Sequence, residues 1–379
     1  LPVPARLGLD LVDSASEVDR RYMALALTLG RRGLGRTWPN PAVGAVIVKD
    51  DMIVGRGWTQ PGGRPHAEVE ALRRAGKAAR GATLYVTLEP CSHHGKTPPC
   101  ANAIIAAGIQ RVVSALEDPN PKVAGEGHRR LAAAGIDVDI GIGAEQARRD
   151  HAGHVRRVRD GRPNVMLKLA ISADGKVGAA GRRPLVITGS EVRDRVHLLR
   201  AQSDAIMVGI GTALADDPAL TCRLSGMEKD SPVRVVLDGR LRLPVSSRLA
   251  QTAREVPVWV VGSSDAPSAN EQALSAAGAH VLRVPSPDGR LDISAVLKVL
   301  AERGITRLMV EGGPTLAASL VATDLVDEAK LFRSAKMVGA DAINALEGLP
   351  LGALVDSPRL KRVKSEQVGA DALDIFERK

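Results

Sequence analysis

Apolar residues in the first part of the chain alternate between helical spacing and short strand-like runs. Val18, Tyr22, Leu25, Ala26 and Leu29 fall on one side of a helix over 17–29. Two strands follow at 43–49 and 52–58, separated by the turn pair Asp50-Asp51. A helix opens after Pro65-His66, its apolar face carried by Ala67, Ala71, Leu72 and Ala75. The pattern then gives a strand over 82–88, a helix over 101–107, a strand over 110–116 and a helix near 127–134. That alternation predicts a three-layer α/β sandwich.

An arginine-rich stretch at 147–163, closed by Gly161-Arg162-Pro163, reads as a junction, so domains are expected at 1–160 and 161–379. The second series has strands near 165–172, 205–209, 233–237, 256–261, 280–284 and 307–311. A final strand is expected near 331–337, although Arg333, Ser334 and Lys336 interrupt its apolar pattern. Gly175, Gly239, Gly262 and Gly312-Gly313 lie near carboxyl ends of these strands, where open α/β sheets bind ligands. The chain has no internal repeat and no low-complexity tract.

Composition narrows the classes. A length of 379 residues suits two domains with separate cores. Three cysteines make no disulfide framework and suit a reducing compartment. No apolar run approaches the roughly eighteen residues of a membrane span. The start, Leu1-Pro2-Val3-Pro4-Ala5-Arg6, offers neither a charged leader nor a hydrophobic segment, so a cytoplasmic protein without a membrane partner is expected. The net charge of +9 invites a nucleic-acid reading, but no concentrated basic block exists, and two Phe, two Tyr and three Trp leave few stacking platforms. An anionic small substrate and a phosphate-bearing cofactor account for the charge, as does a slightly basic surface.

Chemistry concentrates in His66-Ala67-Glu68, Pro90-Cys91 and Cys100. Taken singly, H-x-E is an ordinary helix surface, and two cysteines are ordinary buried thiols. Together they match the His/Cys/Cys ligation with a non-ligating glutamate of zinc nucleobase deaminases. Three protein ligands leave a fourth position for water, whose pKa the metal would lower toward neutrality. Glu68 would carry protons to the ring and the leaving amine. His66 and Cys100 stand at helix starts, where the dipole favours thiolate. The span 92–99 replaces the usual two residues between the cysteines.

With that insertion, the run from Glu89-Pro90-Cys91 through Ser92-His93-His94-Gly95-Lys96-Thr97-Pro98-Pro99-Cys100 resembles the bifunctional riboflavin-biosynthesis deaminase/reductase family. The runs starting at Pro39-Asn40-Pro41 and Leu116-Glu117-Asp118-Pro119-Asn120-Pro121 fit the same family. In the second half, Leu167-Lys168-Leu169-Ala170, Leu199-Arg200-Ala201-Gln202-Ser203-Asp204, the stretch from Gly209 to Thr221 and Val310-Glu311-Gly312-Gly313-Pro314-Thr315 resemble the reductase half. The resemblance implies a cytidine-deaminase-like domain followed by a dihydrofolate-reductase-like α/β domain. It also implies zinc, NADPH, a small phosphorylated pyrimidine substrate and a homo-oligomer.

It implies residues too. Zinc ligands fall on His66, Cys91 and Cys100, with Glu68 as proton shuttle. Asn40, His93, Lys96 and Thr97 match the deaminase substrate site. Arg200, Leu220, Arg223 and Glu311 match the reductase substrate side, the two arginines suiting a 5′-phosphate. Ala170, Thr212, Asp216, Gly313, Pro314, Thr315, Leu316, Ala317, Ala318 and Ser319 match the cofactor side. Gly209-Ile210-Gly211 is no Rossmann fingerprint, because Leu214 takes the third glycine position. The strand-to-helix turn at 311–316 is better suited to an anion. Cys222 reads as a small core residue.

The family often has an aromatic residue at Val186, so one wall of the cofactor pocket is expected to be thinner. No proton donor for the reduction emerges. Three alternatives remain: a single-function deaminase of tRNA or cytosine, a deaminase with a non-catalytic second domain, and a nucleic-acid-binding protein with a structural zinc. The last requires a fourth protein ligand, for which His93 and His94 are near enough in sequence.

Overall fold

A computed structural model describes residues 16–95, 97–121, 124–182, 185–287 and 289–379, and the chain divides into two compact units between Asp160 and Gly161. In the first unit, strands β1 (Gly44–Lys49), β2 (Met52–Trp58), β3 (Thr83–Val86), β4 (Arg111–Ser114) and β5 (Asp137–Ile140) form one sheet in the order β2-β1-β3-β4-β5. β1 pairs antiparallel with β2 and β3, while β3, β4 and β5 run parallel. Asp50 and Asp51, both at positive φ, turn β1 tightly into β2.

The helices are α1 (Glu17–Gly30), α2 (Ala67–Ala75), α3 (Cys100–Ala107), α4 (Glu126–Ala133), α5 (Ala144–Asp150) and α6 (Ala152–Asp160). Strand side chains alternate faces, and the two faces build separate cores. Ala45, Ile47, Leu84, Val86 and Val112 pack with Ala67, Ala71, Ala101, Ile104 and Leu131. Val46, Val48, Tyr85 and Val113 pack with Tyr22, Met23, Ala26 and Ala147. The result is the three-layer sandwich, with α2, α3 and α4 on one face and α1 and α5 on the other.

The break between the units falls within the stretch 147–163, most of which is helical: it holds most of α5 and all of α6, and Ala147 is fully buried. β5 was hidden because its alternation of Asp137 and Asp139 with Val138 and Ile140 belongs to a half-exposed edge strand.

The second unit contains β6 (Asn164–Ile171), β7 (Lys176–Gly178), β8 (Ala205–Gly209), β9 (Val233–Leu237), β10 (Val258–Ser263), β11 (His280–Val284), β12 (Arg307–Val310) and β13 (Glu328–Arg333). It is completed by β14 (Ile343–Asn344), β15 (Leu360–Val368) and β16 (Asp371–Arg378). Nine of these form a sheet in the order β11-β10-β9-β8-β12-β6-β13-β16-β15, and β7 pairs with β14. The sheet is parallel from β11 through β13 and antiparallel in the closing β15–β16 hairpin. Six helices accompany it: α7 (Ser190–Ala201), α8 (Ile210–Asp216), α9 (Arg248–Gln251), α10 (Ser268–Ala277), α11 (Ile293–Glu302) and α12 (Pro314–Ala322), with the short α13 (Gly352–Val355) before β15.

The strand expected at 331–337 is therefore displaced and is not the last. β13 ends at Arg333, where Ser334 N–H still donates to Ile171 O at 2.9 Å, and a hairpin follows. Lys361, Arg362, Lys364 and Ser365 leave β15 without an apolar alternation, as an exposed sheet edge favours. Among the described residues no helix is long and apolar enough to cross a membrane.

Candidate functional site

His66 is the N-cap of α2, Cys91 follows the extended segment after β3, and Cys100 is the first residue of α3. These elements bring three donor atoms together: His66 Nδ1 lies 3.7 Å from Cys91 Sγ and 3.3 Å from Cys100 Sγ. Zinc with tetrahedral sulfur and nitrogen ligands spaces such atoms by about 3.6 Å, so the set fits that metal. Cys100 N–H donates to Cys91 Sγ at 3.2 Å. Hydrogen bonding from Cys100 holds the Cys91 thiol down at about 4, while Cys100 itself is pushed up by the shared proton and by burial. His66 is raised by its hydrogen bond to Cys91. The pair is thus poised to lose its remaining proton to a divalent cation.

Glu68, in the first turn of α2 and 4% exposed, has its carboxyl pushed up by burial against the pull of His66. A proton carrier with a raised pKa beside a metal set suits general acid–base work. Among the described residues, the potential metal group holding His66 contains Cys91 and Cys100 and nothing more, and His93 and His94 are exposed outside it. The set matches an open catalytic site better than a closed structural one.

Asn40 is drawn to the His66 segment: its Nδ2 donates to Gly63 O at 2.8 Å. Gly63 sits at φ +84°, and a Cβ there would lie 2.4 Å from Asn40 Nδ2, so this approach requires glycine. Arg64, which the sequence reading missed, donates to Thr97 Oγ1 and links the His66 approach to the insertion between the cysteines. Lys96 lies outside the described residues.

In the second unit a cavity of about 550 Å³ opens at the carboxyl ends of β6, β8 and β12. Ala170, Arg200, Thr212, Asp216, Arg223, Glu311, Gly313, Pro314, Thr315 and Leu316 line it, as does the exposed Val186. Four expected residues do not line it. Leu220 buries its side chain in the core beside Val236 and Leu241 at φ +54°, leaving only its backbone for a ligand. Ala317, Ala318 and Ser319 lie beyond the first turn of α12, and Ala317 N–H already bonds Gly313 O. Of the strand-end glycines, Gly312 and Gly313 line the cavity, whereas Gly175, Gly239 and Gly262 do not.

Arg200 also differs from expectation. Its Nε donates to Glu311 Oε1 at 2.7 Å and its Nη2 to Glu311 Oε2 at 3.0 Å, so its charge is already matched. Burial would raise the Glu311 carboxyl, but Arg200 and Lys168 outweigh it and hold the group below the usual range. The unmatched cations are Arg193 and Arg223, which line the cavity with no carboxylate partner among the described residues. Arg193, His197 and Arg200 recur at helical spacing on one side of α7, a polar stripe that the sequence carries. Lys168, an ammonium within an otherwise apolar strand, lies 3.9 Å from Glu311, and burial pulls its pKa down. Its strand position was the signal that the sequence reading passed over.

Comparison with known proteins agrees with this layout. Residues 16–116 match the model of the cytidine and deoxycytidylate deaminase zinc-binding region, and residues 163–373 match that of the RibD C-terminal domain. The chain is 43% identical over 365 residues to riboflavin biosynthesis protein RibD of Escherichia coli, covering 93% of this chain and 97% of that one. It is 41% identical to RibD of Aquifex aeolicus, with 96% and 99% covered. The solved RibD structure of Acinetobacter baumannii superposes with a TM-score of 0.84 at 36% identity, covering 96% and 99%. A Thermotoga maritima structure described as a diaminohydroxyphosphoribosylaminopyrimidine deaminase/5-amino-6-(5-phosphoribosylamino)uracil reductase gives 0.82 at 36% identity, with 96% and 99% covered.

Proposed function

Since the chain belongs to the RibD family of bifunctional deaminase/reductases of riboflavin biosynthesis, we propose that deamination takes place at the His66–Cys91–Cys100 set and reduction in the 550 Å³ cavity. The enzyme uses zinc and NADPH: it hydrolyses the amino group from a phosphoribosylated diaminopyrimidinone, then reduces the ribose to ribityl. The observation that carries the first assignment is the convergence of His66, Cys91 and Cys100 around a space that Glu68 borders from α2.

His66, Cys91 and Cys100 would hold the zinc, which when bound would lower the pKa of a water molecule toward neutrality. Glu68 would hold the proton that passes between the attacking water and the departing amine, so that water enters, ammonia leaves and the amino-bearing carbon becomes a carbonyl. Asn40, His93, Lys96 and Thr97 are assigned to the pyrimidine and its ribose phosphate; the Arg64–Thr97 bond supports this by joining two of the segments involved.

In the cavity, NADPH supplies a hydride to C1′ of the ribose. Gly312 and Gly313 would let the backbone come close to the cofactor, and the N–H groups of Thr315 and Leu316 in the first turn of α12 are suited to hold its phosphates. Ala170, Thr212 and Asp216 complete that side. Arg223 and Arg193 meet the substrate 5′-phosphate, and Arg200 holds Glu311 in place. The proton that frees the ribose ring oxygen is assigned to the Lys168–Glu311 pair, the close cation–carboxylate contact facing the cavity besides Arg200. A homo-oligomer in the cytoplasm belongs to the same proposal. Zinc content tests the metal assignment: one ion per chain is expected, lost on Cys91→Ala or His66→Ala.

A further inference from the structure

Glu89 stands two residues before Cys91, is 6% exposed, and takes no part in the assignments above. A buried carboxylate is costly unless its oxygens are bonded. Here Oε2 accepts from Asp118 N–H at 2.9 Å and Gly125 N–H at 3.0 Å, and Oε1 accepts from Gly127 N–H at 2.7 Å and His128 N–H at 3.4 Å. Gly127 and His128 are in the first turn of α4, whose N-cap, Gly125, has no side chain with which to cap it. Glu89 therefore caps α4 from the extended segment that follows β3 and neutralises its dipole. Its own N–H bonds Leu116 O at 2.8 Å. Both ends of the residue are tied down.

The contact reaches the metal set through Pro90. A Cβ added to Gly127 would lie 2.1 Å from Pro90 O and 3.0 Å from Glu89 Oε1. Helix α4 thus seats directly on the peptide that leads into Cys91. Glu89, Glu117 and His128 do place ligand-type atoms within 4.8 Å of one another, and neither ring nitrogen of the buried His128 has a hydrogen-bond partner, although Nδ1 lies 3.9 Å from Glu89 Oε2. The four N–H groups already occupying Glu89 argue for a latch over a second metal centre.

We infer that Glu89 is a positioning residue for the deaminase: with Gly127 it locks α4 against Pro90 and so fixes Cys91 where it can share a metal with His66 and Cys100. The inference rests on the reading of those three as the zinc set. Groups that orient metal ligands commonly set affinity by about 10–100-fold.

Chelator competition on the full chain measures this directly for Glu89→Gln and Gly127→Ala. Both are expected to release zinc about 10–100-fold more readily, while NADPH oxidation on the deaminated substrate stays at the parent rate. Gly127→Ala favours helix formation, so zinc loss there is not helix fraying. Leu131→Ala, a core deletion in the same helix, is expected to lower stability and leave zinc affinity unchanged. Parent-like zinc affinity in Glu89→Gln and Gly127→Ala overturns the inference, as does equal zinc loss in Leu131→Ala. A second zinc in the parent that Glu89→Gln removes also overturns it, making Glu89 a ligand. A parent chain that takes up no zinc defeats the ligand reading itself.

Discussion

Arg200 and Glu311, 111 residues apart in sequence, meet through two parallel hydrogen bonds of 2.7 and 3.0 Å inside the reductase cavity. Such a fork fixes direction as well as charge. It makes Arg200 the group that orients Glu311.

Arg200→Met leaves Glu311 buried without its main partner, and breaking a buried pair costs about 3–5 kcal/mol. Glu311 is held below its ordinary pKa in the folded chain, so its stabilising contribution is full above that ordinary value and is lost as pH falls through the folded one. Without Arg200, burial prevails and the Glu311 pKa rises. The acid limb of the reductase pH profile is expected to move to higher pH, with deamination unchanged. Arg200→Lys keeps charge but not the fork, and falls between the two. An unmoved acid limb in Arg200→Met would exclude Glu311 as a titrating group of the reduction.

Glu68→Gln is expected to retain one zinc per chain and to lose deamination by about 10²–10⁴-fold, the usual weight of a positioned proton carrier. Reduction of the deaminated substrate is expected at the parent rate. Metal analysis on the same sample separates the roles: zinc lost with the carboxylate would make Glu68 a ligand.

How far the sequence reveals these sites follows from how local each one is. His66, Glu68, Cys91 and Cys100 are legible because two helix starts and one strand end carry them within a short stretch. Strands such as β8 and β10 are legible because both faces are covered and their residues run mostly apolar. β5 and β15 escape because one side or more faces water. Arg200 with Glu311, and Glu89 with the start of α4, are set by tertiary contacts that no spacing encodes. A carry-over by position also cannot tell that Ala318 and Ser319 fall outside the lining of the cavity, or that Leu220 packs its side chain in the core.

Acid should loosen the deaminase unit through Asp19. Arg111 donates to both of its oxygens at 2.8 and 2.9 Å, Tyr85 donates at 2.7 Å, and the carboxyl is held at about 2, chiefly by Arg111. The folded value is depressed, so the contribution is present above the unfolded value near 3.9 and is lost as pH falls toward about 2. Asp19→Asn is expected to cost about 2 kcal/mol at neutral pH, and to shrink the difference between urea midpoints measured at neutral pH and in acid. An unchanged difference would place the acid sensitivity elsewhere.

The central claim is that one chain carries out both reactions at separate sites. The direct test supplies the zinc-loaded full chain with the phosphoribosylated diaminopyrimidinone, follows ammonia, then adds NADPH and follows its oxidation, with and without a zinc chelator. The account predicts ammonia first and substrate-dependent NADPH oxidation second. The chelator should abolish ammonia release and spare oxidation when deaminated substrate is provided. Ammonia without any NADPH oxidation, or ammonia release that survives complete removal of zinc, would contradict it.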